Sequence, residues 1–241
     1  MTPQEFYKSL NAHNININET QKNQFDKYYH FLVKMNKKIN LTRITSRNDV
    51  YLKHFYDSLI MSFFIDKIKY ERFNICDVGS GAGFPSIPLK IMFPQLRITI
   101  IDSLNKRIIF LRDLINLLSL KDVNLIHDRA ENIGHDPLYR SHFDFVTARA
   151  VAPLNTLSEI CLPFVKKNGY FIALKSNKLN LEINNAIYSI NKMGGKISNN
   201  YLFKQQDIGI RYILFIKKNN PTPDKYPRKA GLPKRDPLIL K

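Results

Sequence analysis

Thirteen residues, Phe73-Asn-Ile-Cys-Asp-Val-Gly-Ser-Gly-Ala-Gly-Phe-Pro85, constrain this chain more than any other stretch. An apolar strand pattern runs into Asp77, a glycine-rich turn follows at once, and Ser86 to Met92 continue as a helix-compatible run. Gly79, Gly81 and Gly83 let the backbone turn tightly and approach a ligand closely, since no Cβ intervenes. Strand, bare loop and helix N-terminus in that order are how open α/β sheets hold nucleoside cofactors.

The spacing is G-x-G-x-G rather than the G-x-G-x-x-G of dinucleotide binders. Pro85 opens the following helix, where a missing N–H costs little. A carboxylate at the Asp77 strand tip would repel a pyrophosphate drawn to the positive helix end. It would suit a ligand carrying an ammonium and a sulfonium, and S-adenosylmethionine carries both and no phosphate. A second strand, Arg97-Ile-Thr-Ile-Ile-Asp102, ends in another acid about 20 residues past the glycine turn, where a ribose diol would be gripped. Asp102 could equally cap the next helix. NAD would use Asp102 as well, so the discrimination rests on Asp77 and the glycine spacing.

The 241 residues suffice for one large α/β domain with an extension. Residues 1–70 read as a helical extension, 71–217 as the cofactor-binding core, and 218–241 as a basic, proline-rich tail. In the first segment Phe25, Tyr29, Leu32, Met35 and Ile39 form one helical face, with Lys22, Lys27, Lys34, Lys37 and Lys38 mostly elsewhere, as on a solvated surface. A further helix is expected over Arg47 to Ile68.

The core alternates strands (Asn74–Val78, Arg97–Asp102, Val123–His127, Phe143–Thr147, Tyr170–Lys175) with helices (Ser86–Phe93, Asn105–Leu118, Pro153–Val165, Leu179–Met193). Ser103 is placed to cap the second helix. This alternation implies a doubly wound, mainly parallel, Rossmann-like sheet. Lys196–Phe203 and Arg211–Lys217 have a connection too short for a parallel crossover, so they predict an antiparallel hairpin at the sheet edge. A parallel sheet ending in such a hairpin is the class I S-adenosylmethionine-dependent methyltransferase plan, not the dehydrogenase plan. The tail carries five prolines interleaved with Lys225, Arg228, Lys229, Lys234 and Arg235. It is expected to form no regular element, and to be either a solvated tail or a clamp on RNA phosphates.

Composition narrows the partners. The net charge of +17 attracts polyanions, nucleic acid first. Part of the lysine excess also fits A/T-rich coding. No apolar run approaches the roughly 18 residues a membrane span needs, and Met1-Thr-Pro-Gln-Glu-Phe lacks the pattern of a signal peptide. Cys76 and Cys161 read as buried thiols, and six scattered histidines show no metal-ligand spacing. A cytoplasmic protein without metal or membrane partner is expected.

Taken in order, the segments Asn40-Leu-Thr-Arg-Ile44, His54-Phe-Tyr-Asp-Ser-Leu59, Asp77 to Pro85, Asp102-Ser-Leu-Asn-Lys-Arg107, Arg129-Ala-Glu131, Ala148-Arg-Ala-Val-Ala-Pro-Leu154, Ala173-Leu-Lys175 and Tyr226-Pro-Arg-Lys-Ala-Gly-Leu-Pro233 cover nearly the whole chain. Together they resemble the bacterial 16S ribosomal RNA guanine-N7 methyltransferases, the glucose-inhibited division protein B family. The glycine loop is generic to methyltransferases; the His54, Ala148 and Tyr226 segments are far more specific. The resemblance implies cofactor contacts at Gly79, Phe84, Ala130, Glu131 and Arg149, with Asp77, Gly81 and Asp102 following from the enzyme class. It implies a guanine in the decoding-region loop of 16S rRNA as target, on the small ribosomal subunit or an assembly intermediate. Ser176 is a mild departure at a position where many relatives have a small residue, often Gly.

Read from the residues alone, Glu131 could border an adenine or simply interact with a helix dipole. Arg149 could hold the donor's carboxylate, a substrate phosphate or a structural carboxylate. Lys175, at the same sheet edge, is a candidate phosphate contact. His54 and Asp57, at i and i+3, read as a local pair bracing the N-terminal helices rather than a catalytic one. No catalytic dyad stands out. Guanine N7 keeps a free lone pair as an acceptor, so it needs no deprotonation before attack. After the fourth strand an amine methyltransferase would show an Asn/Asp-Pro-Pro-aromatic loop; this chain has Ala148-Arg-Ala-Val-Ala-Pro153. The competing classes are a small-molecule methyltransferase, a nucleotide-binding dehydrogenase and an RNA-binding protein with a relic pocket.

Overall fold

A computed structural model describes residues 1–175, 179–205 and 207–240. The chain opens with α1 (Pro3–Asn11) and α2 (Glu19–Ile39), each started by a reciprocal capping box: Thr2 with Glu5, then Asn18 with Gln21. Such boxes satisfy two of the backbone N–H groups a helix start leaves unpaired. α2 buries Phe25, Tyr28 and Leu32, so its inward stripe includes Tyr28, while Tyr29 is only half-buried.

The stretch from Arg47, expected as one helix, is instead a chain of short turns. α3 (Arg47–Val50) passes into a π-helical turn over Tyr51–Tyr56, then α4 (Asp57–Leu59), and two 3-10 turns over Ile60–Phe64 and Asp66–Lys69. Burial runs without a break from Phe55 to Ser62, so this stretch lacks the solvent-facing side of an amphipathic α-helix.

The core then alternates: β1 (Asn74–Val78), α5 (Ser86–Met92), β2 (Arg97–Asp102), α6 (Asn105–Leu117), β3 (Val123–His127), α7 (Ala130–Ile133), β4 (Phe143–Arg149), α8 (Leu154–Cys161), β5 (Val165–Lys175), α9 (Leu179–Lys192), β6 (Gly195–Gln205) and β7 (Gly209–Lys218). The seven strands lie in the order β3-β2-β1-β4-β5-β7-β6. β1 to β5 pair in parallel, and β7 runs antiparallel to both neighbours. The predicted hairpin is therefore present, with its second strand inserted between β5 and β6. Pro163 and Phe164 sit in a 3-10 turn, so α8 ends well before Val165, which already begins β5.

Two apolar layers sandwich the sheet. On one face, Ile75, Ile98, Ile100 and Ile172 pack in a single cluster with Phe6, Phe25, Tyr28 and Phe55 of the N-terminal segment. The N-terminal helices thus share the sheet's core rather than building their own. The opposite face joins Cys76, Val146, Phe171 and Leu214 to α8 and α9. Both cysteines are free and buried, and burial raises their thiol pKa values well above normal.

The C-terminal segment is a strap, not a free tail. Tyr226 is buried, and Arg140 donates to the carbonyls of Tyr226 and Thr222, each at 2.8 Å. Leu232–Arg235 even form one helical turn, α10, with Pro233 early in it where a missing N–H is harmless. The proline content excluded a long helix but not this turn. Among the described residues no helix is long and apolar enough to cross a membrane.

Candidate active site

Three parallel strands end side by side beneath the glycine turn. Register pairs Asp77 with Ile100 on β2 and with Thr147 on β4. The carboxyl edge of an open sheet is where ligands bind, because the helices that follow the strands diverge there. A cavity of about 450 Å³ occupies this edge, lined by the turn, by Asp102, by Ala130 and Glu131 of α7, and by Arg149.

The turn is shaped by its glycines. Gly79 and Gly81 adopt φ of +73° and +64°. A Cβ at Gly79 would meet Val151 Cγ2 at 2.8 Å, whereas one at Gly81 would meet nothing within 4 Å. Gly81 therefore faces open space on the cavity side. Gly83 serves packing instead: a Cβ there would come within 2.7 Å of Ile87 and 2.9 Å of the Tyr28 hydroxyl. That hydroxyl donates to the Ala82 carbonyl, tying the turn to the N-terminal segment.

Asp102 is buried and braces the turn. Its Oδ2 accepts the Gly81 N–H at 3.0 Å and Arg107 Nη1 at 3.3 Å, and its Oδ1 accepts the Leu104 N–H at 3.0 Å. Leu104, not Ser103, is the cap position of α6, and it has no side-chain cap. Asp102 takes over because its carboxylate already lies at the helix start. A carboxylate offers about four acceptor sites, so Oδ1 retains capacity for a ligand hydroxyl.

Asp77 does not line the cavity. It is fully buried below the turn; Oδ2 accepts the Ser86 N–H at 3.4 Å and Oδ1 has no partner among the described residues. Burial pushes its pKa up to about 6. The expected direct approach of Asp77 to an ammonium is replaced by a charge seated beneath the loop.

Phe84 sits between two rings. It stacks on Tyr28 at 5.5 Å and on His54 at 4.5 Å between centroids, and the Arg149 guanidinium lies 5.0 Å from its centroid. Such a cation–ring contact holds both partners in orientation. His54 does not pair with Asp57; both reach Arg149, which donates to Asp57 Oδ2 at 2.8 Å and faces His54 Nδ1 at 3.5 Å. Arginine has no acceptor, so Nδ1 carries the lone pair and Nε2–H donates to Thr42 Oγ1 at 2.8 Å. Burial, then the Arg149 charge, lowers the His54 pKa to about 4. Arg149 holds a structural carboxylate, whose identity could not be read from a residue 92 positions earlier.

Glu131 accepts the Gly231 N–H from the strap, and Lys234 of α10 lines the cavity. Lys175 is engaged within the chain: it donates to Glu182 Oε2 at 2.6 Å and to the Ala152 carbonyl at 2.9 Å. Glu182 in turn accepts the Leu154 N–H, so Lys175 fixes the β4–α8 loop. Ser176 lies outside the described residues. Leu41 and Thr42, which line the cavity, were not singled out by the sequence as site residues; their place in the Asn40–Ile44 segment was the available signal.

The buried charged groups here are acids, Asp102 and Glu131 with Asp77 below, while the cations without a carboxylate partner among the described residues, Arg129 and Lys234, are exposed. A pyrophosphate would be repelled from such a floor, and a cationic nucleoside is favoured. Among the described residues no cluster of His, Cys, Asp and Glu could hold a metal ion.

Strand order, glycine turn and cavity define a class I S-adenosylmethionine-dependent methyltransferase. A putative methyltransferase of that class from Listeria monocytogenes superposes with a TM-score of 0.56 over 83% of this chain and 71% of its own, at 13% identity. A putative sarcosine dimethylglycine methyltransferase from Galdieria sulphuraria gives 0.51 over 68% and 84%, at 11% identity. The family profile of rRNA small subunit methyltransferase G matches residues 21–209. Ribosomal RNA small subunit methyltransferase G of Staphylococcus aureus strains JH9 and Newman is 54% identical over 242 residues, covering 100% of both chains. This chain belongs to the rRNA small subunit methyltransferase G family.

Proposed function

We propose that this protein methylates N7 of a guanine in 16S rRNA, on the small ribosomal subunit or an assembly intermediate. When bound, S-adenosylmethionine supplies a methyl group activated by its sulfonium. Gly79 and Gly81 leave room for it against the turn, Asp102 accepts its ribose hydroxyls, and Ala130 and Glu131 border the base. Phe84 and Arg149 form the opposite wall, and the Asp77 charge beneath the loop favours a cationic ligand there.

The observation that carries the N7 reading is that His54, the one imidazole among the described residues lining the cavity, is withheld from proton transfer. His54 is stacked, engaged at both nitrogens and neutral above pH 4. Asp102, Asp128 and Glu131 are already accepting backbone N–H groups. A site whose histidine is withheld from proton transfer fits a nucleophile that has no proton to lose. Orientation then carries the rate, and well-placed reactants gain about 7–11 kcal/mol. In A-form RNA the N7 edge lies in a deep, narrow groove, so the target guanine belongs to a loop or leaves its stack.

Methyl-labelled donor, purified protein, small-subunit rRNA and a panel of small acceptors test this. Label is expected in RNA alone, at guanines that become sensitive to reduction and aniline cleavage, the signature of N7 methylation. Transfer to small acceptors instead, or to guanine exocyclic nitrogens, would refute it.

A further inference from the structure

Asp57 joins three distant parts of the chain. Its Oδ2 accepts from Arg149 Nη1 at 2.8 Å and its Oδ1 from Arg211 Nε at 2.6 Å, partners 92 and 154 residues away. Asp57 belongs to α4 of the N-terminal segment, Arg149 ends β4, and Arg211 lies on β7. The carboxylate is 10% exposed and the Arg149 side chain 14%.

Arg211 is itself anchored. Its Nη1 donates to the carbonyls of Ile208 and Ile210 at 3.0 and 3.2 Å. Arg149 is confined on a second side by the Phe84 ring and on a third by the Lys53 carbonyl at 3.3 Å. One carboxylate between two guanidinium groups leaves the cluster one net positive charge, and of the three groups it is Arg149 that lines the cavity.

We propose that Asp57 is a positioning residue: it holds the Arg149 guanidinium at the cavity wall for the cofactor, and Arg211 holds Asp57. This rests on the reading of Arg149 as a cofactor contact. The order is physically economical. A long, flexible arginine fixed before binding loses no further freedom when the ligand arrives. The two carboxylate oxygens divide the work, since each is committed to a different guanidinium.

The test is a double-mutant cycle on the dissociation constant of S-adenosylhomocysteine, measured by calorimetry on the full chain, with Asp57→Asn, Arg149→Met and the double variant. Asp57→Asn is expected to weaken binding about tenfold and Arg149→Met at least as much. The double variant is expected to bind like Arg149→Met alone, because Asp57 has nothing left to position. Additive losses, or unchanged binding in Asp57→Asn, would overturn the proposal. Unchanged binding in Arg149→Met would instead remove the underlying reading of Arg149, and the positioning role with it. Should Asp57→Asn not fold, Arg211→Gln replaces it in the same cycle, with restoration by Arg211→Lys expected and additivity again the contrary result.

Discussion

Glu131 on α7 accepts the backbone N–H of Gly231 at 2.8 Å, across 100 residues of sequence. The contact draws the C-terminal strap to the cavity, which Glu131 and Lys234 both line. Two others keep it there: the Thr156 hydroxyl donates to the Pro233 carbonyl at 3.1 Å, and Arg228 forks onto Glu159 at 2.8 and 2.9 Å. A proline-rich segment thus becomes a wall of the site, and its cations divide into structural and exposed ones.

Arg228 is structural. Glu159 is fully buried, so Arg228→Met would leave a carboxylate in the interior without its cation. The expected loss is about 3 kcal/mol, at the low end for a buried pair because Arg228 keeps some contact with water. Arg235→Met, at an exposed position, is expected to stay within about 0.5 kcal/mol of the parent. Denaturant unfolding of the two variants checks the contrast.

Lys229 and Lys234 are exposed and make no ion pair among the described residues. Replacing both with Ala is expected to weaken RNA binding and to flatten its salt dependence. The log–log slope should fall by about 0.7 for each phosphate no longer neutralised on single-stranded RNA. The melting temperature should not move. Filter binding over a salt series, beside a thermal melt, measures both.

The glycines of the turn separate packing from binding. Gly83→Ala places a Cβ at 2.7 Å from Ile87 at a φ of +96°, and is expected to cost about 2–3 kcal/mol in stability. Gly81→Ala clashes with nothing, so it should cost about 1 kcal/mol for its φ alone while lowering cofactor affinity the more. Melting curves and calorimetry should rank the two variants oppositely.

His54 makes stability depend on pH. Its pKa is lowered from 6.5 to about 4 in the folded chain, so between those values the unfolded chain binds more protons. Stability from this group is therefore complete above pH 6.5 and is lost as pH falls toward 4. Asp77, pushed up to about 6, works in the opposite sense between 3.8 and 6. Relative to His54→Gln, the wild type is expected to lose about 2–3 kcal/mol on going from pH 7 to 4.5. Parallel denaturant titrations of both proteins at those two pH values measure the difference.

The strands of the sheet were legible because apolar runs alternate with amphipathic ones, and the glycine turn with Asp102 located the cavity. What the sequence did not carry depends on tertiary partners. The stretch after Arg47 follows helical spacing, yet it is divided into short turns and buried without a break from Phe55 to Ser62. Asp57 and His54 look like neighbours on one helix; only the fold brings Arg149 and Arg211 to them. Lys175 and Arg228 are indistinguishable from RNA-binding cations until Glu182 and Glu159 are seen beside them. Asp77 lies near the end of β1 as expected, next to Val78, but its side chain turned under the loop, a choice that strand alternation alone does not fix.

The most direct measurement is mass mapping of modified guanines in small-subunit rRNA from cells with and without this gene. Loss of one 7-methylguanosine, restored by the wild-type gene and not by a Gly79→Arg variant whose side chain fills the turn, is the predicted result. An unchanged guanine methylation pattern in cells lacking the gene would contradict the account.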